Sequence, residues 1–202
     1  MEVIVKEGKE LEGVLASICE EYNVSNNDFY YQYKENKSGL FGKNVTIEVT
    51  AILKKELLEY VKSYLEELLT NMGLTVNFET KLREDTMYIK IYSNNNPILI
   101  GKGGNTLKAL ENIVKQKVNT EFGIRALISL DVENYREKQQ HRLERLAKTL
   151  AKEVVNTNVE VHLEDMNAFD RRIIHNALTN FKGVKTESTG EEPHRHVVIK
   201  PE

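Results

Sequence analysis

Residues 98–110 read ILIGKGGNTLKAL, an apolar run followed by three glycines in four positions around one lysine and then the start of a predicted helix. Glycine has no Cβ, so a turn of this kind brings backbone amides close to another molecule. The positive end of the following helix, predicted over residues 105–120, adds attraction for an anion. Such a turn is open to three phosphate-binding interpretations.

Two of the three interpretations fail on spacing. The P-loop pattern requires a Gly-Lys pair followed by Ser or Thr to hold magnesium, and the sequence has none. The dinucleotide fingerprint would need glycine at position 106, where Thr106 stands, and the flanking parallel βαβ unit is missing. Hydrolysis of a nucleoside triphosphate and dinucleotide binding are therefore not indicated.

The third interpretation is the Gly-x-x-Gly turn of KH domains, which contacts the sugar-phosphate backbone of about four nucleotides. Ile98, Leu99 and Ile100 would wall the groove, and Lys102 would supply a mobile charge. A tight helix–helix turn, with glycines used only for geometry, is the alternative. The candidate nucleic-acid-binding residues are Ile100, Gly101, Lys102, Gly103, Gly104 and Lys108.

The periodicity on both sides of the turn predicts an α+β protein of three small domains, over residues 1–52, 53–133 and 134–202. The first reads as β-α-β-β and the second as α-β-β-α-α-β. The third begins with a long helix over 134–155 and continues with a strand, a helix over 167–181 and two strands. Predicted inward positions include Ile113, Leu146 and Val155.

Composition fits a chain that folds around buried cores, with 40% hydrophobic and 29% charged residues. The net charge of −3 argues against indiscriminate binding of nucleic acid. Residues 1–60 hold 7 of the 28 basic and 11 of the 31 acidic residues, so the acidity is N-terminal. No leader peptide or membrane span is visible, and the single Cys19 excludes a disulfide framework. We expect a cytoplasmic protein.

A second motif lies in NAFDRRIIHNALTNF, residues 167–181. Helical periodicity places Phe169 inward and puts Arg171 and His175 about 40° apart on one exposed face, with Arg172 as a further cation. A guanidinium can bind a phosphate or stack on a base, and an imidazole offers an N–H and a flat ring. The alternative is a solvated helix face, or an arginine that pairs with nearby carboxylates.

Taken together, these motifs resemble the bacterial Jag family of SpoIIIJ-associated, KhpB-type RNA-binding proteins over essentially the whole chain. LIGKGGNTLKALENIV looks like a type II KH domain, and the Arg-x-x-x-His pair is similar to the RxxxH domain, which binds single-stranded nucleic acid. KSGLFG, residues 37–42, and the ending VKTESTGEEPHRHVVIKP also match the family. Relatives often carry two basic residues between the glycines, whereas this chain has Lys102 and Gly103, which implies weaker RNA binding.

The resemblance implies a non-enzymatic RNA-binding protein, a regulator of gene expression after transcription that is linked to cell elongation or division. It further implies a small KhpA-like KH partner, or a homo-oligomer, and an indirect link to the membrane insertase. A protein–protein adaptor is the alternative, with its KH surface in a protein interface and Leu40 and Phe41 as a docking tip.

The remaining polar residues give weaker signals. Arg195 would extend the nucleic-acid surface. His194 and His196 alternate along a strand, but no cysteine or carboxylate pair stands near them in sequence, so we predict no metal site and no cofactor. Nuclease chemistry would need a carboxylate–metal cluster with an arranged base, and none is visible.

Overall fold

A computed structural model of the chain describes residues 1–38 and 44–202. The docking tip proposed at Leu40 and Phe41 lies outside these residues. The predicted α+β class is confirmed, because the described residues form three three-stranded sheets with helices packed against them. Contacts divide the chain into two compact units, Met1–Glu133 and Asn134–Glu202.

The first sheet of unit 1 is antiparallel, with strand order β1-β3-β2. Its elements are β1 Ile4–Gly8, α1 Leu11–Tyr22, β2 Phe29–Ser38 and β3 Asn44–Leu53. Val14, Leu15 and Ile18 recur on one face of α1 and are buried against the sheet. The amphipathic spacing of α1 therefore supplies the helical half of this core.

The second sheet of unit 1 has the order β4-β5-β6, with β4 antiparallel and β6 parallel to the central strand. The elements are α2 Lys54–Asn71, β4 Val76–Arg83, β5 Thr86–Ser93, α3 Asn96–Ile100, α4 Asn105–Phe122 and β6 Leu127–Val132. The order of helices and strands is the predicted α-β-β-α-α-β. Ile113 was wrongly placed in the core. It is 46% exposed because it stands one position, about 100° around the helix, before the buried Val114.

The two sheets of unit 1 are joined through a buried lysine. Lys54 is 2% exposed, and its ammonium donates to the Asn27 carbonyl oxygen and to Asp85 Oδ1, 2.6 Å away. The Tyr30 hydroxyl donates to the Asp85 carbonyl oxygen, and burial raises the pKa of Tyr30 to about 12. Periodicity alone gave no sign of this junction, because Lys54 is the first residue of an amphipathic helix.

Unit 2 packs two helices on an antiparallel sheet of order β7-β9-β8. The elements are α5 Tyr135–Thr157, β7 Val161–His162, α6 Ala168–Leu178, β8 Val184–Thr189 and β9 His196–Pro201. Leu143, Ala147, Ala151 and Val154 form the buried stripe of α5. Leu146 and Val155 were expected in that stripe but are 43% and 47% exposed, since each lies one position beside it.

None of the helices in the described ranges combines the length and apolarity that crossing a bilayer requires.

Candidate nucleic-acid interface

The glycine turn joins α3 to α4 through a short 3₁₀ segment, Lys102–Gly104. Gly101, Gly103 and Gly104 have φ angles of 69°, 59° and 78°, a region that residues with a Cβ rarely adopt. A Cβ on Gly101 would also collide with the side chain of Thr106. The backbone of the turn therefore requires glycine at these positions, whatever the turn binds.

Part of the hydrogen-bonding capacity of the turn is used inside the protein. Gly101 N–H donates to the Pro97 carbonyl oxygen at 2.9 Å, and Gly104 N–H donates to the Gly101 carbonyl oxygen at 3.3 Å. These two amides are thus not available to a ligand, contrary to the expectation for the whole turn. The Lys102 amide has no acceptor among the residues that the structure describes.

The surface of the turn is open and positively charged. Lys102 and Gly103 are exposed, Gly101 and Gly104 are half-buried, and Lys108 is exposed on the first turns of α4. The ammonium groups of Lys102 and Lys108 form no ion pair with the described residues. Ile98 is 50% exposed, but Leu99 is 1% exposed and packs in the core, so the prediction that Leu99 walls a groove is wrong. Ile100, beside the turn, is half-buried.

The second motif lies on α6, which begins at a well-formed cap. Asn167 Oδ1 accepts from the amides of Phe169 and Asp170 at 2.9 and 3.0 Å, which stabilises the first turn. Asp170 is 5% exposed and accepts from Gln139 Nε2 at 3.3 Å. Burial raises the pKa of Asp170, and the hydrogen bond from Gln139 opposes that shift.

Arg171 does not lie on an exposed face, as its spacing had suggested, but is 7% exposed. Its Nη1 donates to the Met166 carbonyl oxygen and to Glu192 Oε1, both at 2.8 Å. Position about the helix axis failed as a guide because the segment before α6 and the loop before β9 cover this side of the helix. Arg171 is therefore engaged by its own unit.

His175 is half-buried, and both ring nitrogens have partners on β8. Nδ1 lies 2.7 Å from Thr186 Oγ1, and Nε2 lies 2.8 Å from Ser188 Oγ. Burial, followed by the charge of Arg171, lowers the pKa of His175. The imidazole is thus neutral at pH 7, with one nitrogen donating and the other accepting, and it fastens α6 to the sheet.

A shallow groove between α5 and α6 holds the exposed polar and aromatic groups of this region. It is lined by Gln140, Glu144, Lys148, Phe169, Arg172, Ile173, Asn176 and Ala177. Phe169 was expected in the core but is 60% exposed, because it occupies the second position of α6, before the helix packs against the sheet. Arg172 and Lys148 are also exposed. The sequence analysis missed Lys148 and Phe169 because an isolated lysine and a phenylalanine at helical spacing resemble ordinary helix positions.

Arg195 is half-buried immediately before β9, and its carbonyl oxygen accepts from the Met166 amide at 3.0 Å. Its Nε is buried without a hydrogen-bond partner. The fully exposed cation expected there is therefore not present.

Comparisons with known proteins agree on one kind of relative. Residues 141–201, which include Arg171 and His175, match the model of the R-3-H (RxxxH) domain. An RNA-binding protein KhpB of Clostridium symbiosum is 35% identical over 98% of this chain and 91% of its own length. RNA-binding proteins KhpB of Bacillus subtilis and Lactiplantibacillus plantarum are each 33% identical, over 80% and 67% of this chain and over 78% and 42% of their own lengths.

Proposed function

Since the chain belongs to the family of the RNA-binding protein KhpB, we propose that it binds single-stranded RNA at two separate surfaces and catalyses no reaction on it. We assign residues 53–133 to a type II KH domain and 134–202 to an RxxxH domain, with 1–52 as an N-terminal Jag domain. The observation that carries the proposal is the exposed, unpaired Lys102 on an open glycine turn.

At the turn, the ammonium of Lys102 and its unengaged amide would contact one phosphate group, with Lys108 contacting the next. Glycine on both sides keeps side chains away from the approaching backbone. The exposed Ile98 and the half-buried Ile100 offer apolar surface against which a base can lie. This use of the turn needs the Lys102 amide alone, and not all four.

At α6, the exposed residues of the groove would do the binding and the buried pair would support them. Phe169 offers a ring on which a base can stack, and Arg172 and Lys148 offer charges for neighbouring phosphates. Arg171 and His175 hold α6 between Glu192 and β8, so their role is to position this surface. Glu144 also lines the groove, where it accepts from Gln140 at 2.8 Å.

Affinity for labelled single-stranded RNA tests the proposal. We compare the wild type with Lys102→Asp, Arg172→Ala and the double variant by fluorescence anisotropy. Each single change should weaken binding several-fold, and each lost phosphate contact should lower the salt slope by about 0.7. If both surfaces hold one RNA, the double variant should lose at least the product of the single losses.

Lys9→Asp is the matched control, because Lys9 is exposed in unit 1 outside the turn and makes the same change in charge. It should bind RNA nearly as the wild type does. Undiminished binding by the double variant, or an equal loss in Lys9→Asp, would refute the two proposed surfaces.

The family resemblance extends the proposal to a small KhpA-like partner that pairs with residues 53–133, and to a role in cell elongation. Size-exclusion chromatography of the mixed proteins should show a joint peak. Separate elution at concentrations that saturate RNA binding would reject this partner while leaving the RNA proposal standing.

A further inference from the structure

Two histidines face each other on the sheet of unit 2, away from both proposed RNA surfaces in sequence. His162 on β7 is in register with Val198 on β9, and His196 lies two residues from Val198 on the same face. The two imidazoles are therefore diagonal neighbours, a spacing that long side chains bridge. Nδ1 of His162 lies 3.2 Å from Nε2 of His196.

The outer nitrogen of each ring faces a carboxylate. Glu160 Oε1 lies 3.2 Å from His162 Nε2, and Asp165 Oδ1 lies 3.7 Å from His196 Nδ1. A carboxylate favours the tautomer that carries its proton on the nearer nitrogen. The two inner nitrogens then direct their lone pairs at each other, and that arrangement repels unless a cation lies between them.

The separation of the inner nitrogens suits a metal ion. Zinc binds imidazole nitrogen at about 2.0–2.1 Å, so two ligands of a tetrahedral ion lie about 3.3–3.4 Å apart. We propose that His162 and His196 bind a divalent transition metal ion of the zinc class, with solvent in the remaining positions. Glu160 and Asp165 are positioning residues in this site, as outer carboxylates commonly are.

His194, the partner that its alternation with His196 suggested, does not join the pair. It is exposed, and its Nδ1 contacts the other oxygen of Asp165 at 2.9 Å. The sequence analysis also missed the carboxylates, because Glu160 and Asp165 both lie far from His196 along the chain. Within the described ranges, no three His, Cys, Asp or Glu side chains are placed to share one ion, so the site has two protein ligands.

Local charge favours a dication. Glu160 and Asp165 are both acidic, and the nearby Lys200 is engaged by Glu187 at 2.7 Å. Bound metal would join the two-residue strand β7 to β9 through side chains as well as through backbone pairing. We therefore expect the ion to stabilise unit 2.

Calorimetric titration of the untagged chain with Zn²⁺ at neutral pH tests the site, in a Cys19→Ser background that removes the thiol. One equivalent should bind at micromolar Zn²⁺ and raise the melting temperature. His162→Asn and His196→Asn should each abolish this event, and Asp165→Asn should weaken it by about 10-fold or more.

His141→Asn and His194→Asn are the matched controls, since both histidines are exposed and lie outside the pair; each should retain the bound equivalent. Both ligand variants alter exposed or half-exposed side chains, and a melting curve without zinc verifies that they fold. Absence of saturable binding in the wild type would overturn the proposal and leave a shared proton between the rings. Wild-type affinity in His162→Asn, or loss in His141→Asn, would overturn it equally.

Discussion

At the glycine turn Lys102 is exposed and pairs with no described residue, whereas on α6 Arg171 is buried between Met166 and Glu192. The two motifs resemble each other in sequence, since each combines a cation with a helix terminus. They differ in what the polar groups do. One leaves its charge to solvent, and the other uses its charge to hold its own unit together.

The difference teaches that a signature residue can support a binding surface without touching the ligand. Exposure and pairing separate the two roles, because a buried arginine that already has carboxylate and carbonyl partners gains little from a phosphate. In unit 2 the surface for recognition then passes to the neighbours Phe169 and Arg172.

The comparison would be sharpened most by replacing a glycine of the turn. Gly101→Ala drives a Cβ into the Thr106 side chain at a φ of 69°, so we expect about 3 kcal/mol of lost stability. Gly13→Ala is the opposite control, because Gly13 is helical with free space around its Cα, and it should stabilise by about 0.5–1 kcal/mol. Urea unfolding measures both, and an unchanged midpoint for Gly101→Ala would show that the turn tolerates side chains.

The arginine pair on α6 gives the next largest effect. Arg171→Ala should destabilise unit 2 by about 2 kcal/mol, because it removes two hydrogen bonds of a buried charge. Arg172→Ala should change stability by less than about 0.5 kcal/mol, since its side chain is exposed, yet weaken RNA binding. Thermal unfolding and RNA titration of both variants would contradict the account if the stability and binding effects were exchanged.

The smallest effect is the pH dependence that His175 contributes. The folded protein lowers the pKa of His175, so below the unfolded value of about 6.5 the unfolded chain binds more protons than the folded one. This contribution to stability is complete above that pH and is lost as the pH falls, by at most about 1.4 kcal/mol per unit. His175→Asn should lose this slope, and identical pH profiles for the two proteins would show that the imidazole titrates freely.

Much of the architecture could be predicted from the sequence, because helix and strand periodicities are local. The order of elements around the glycine turn and the buried stripe Leu107, Leu110, Val114 and Val118 follow from the spacing of apolar residues. Pairing across elements could not be predicted in this way. Lys54 with Asp85 and Arg171 with Glu192 join residues 31 and 21 positions apart, and only the fold brings them together.

The most direct test of the central claim is an NMR titration of the ¹⁵N-labelled chain with single-stranded RNA. We predict that the Lys102 amide and the backbone amides of Phe169 and Arg172 shift, while the Arg171 side-chain signal stays at its free position because its pairing with Glu192 persists. RNA binding that shifts Arg171 and leaves Lys102, Phe169 and Arg172 unmoved would contradict the account.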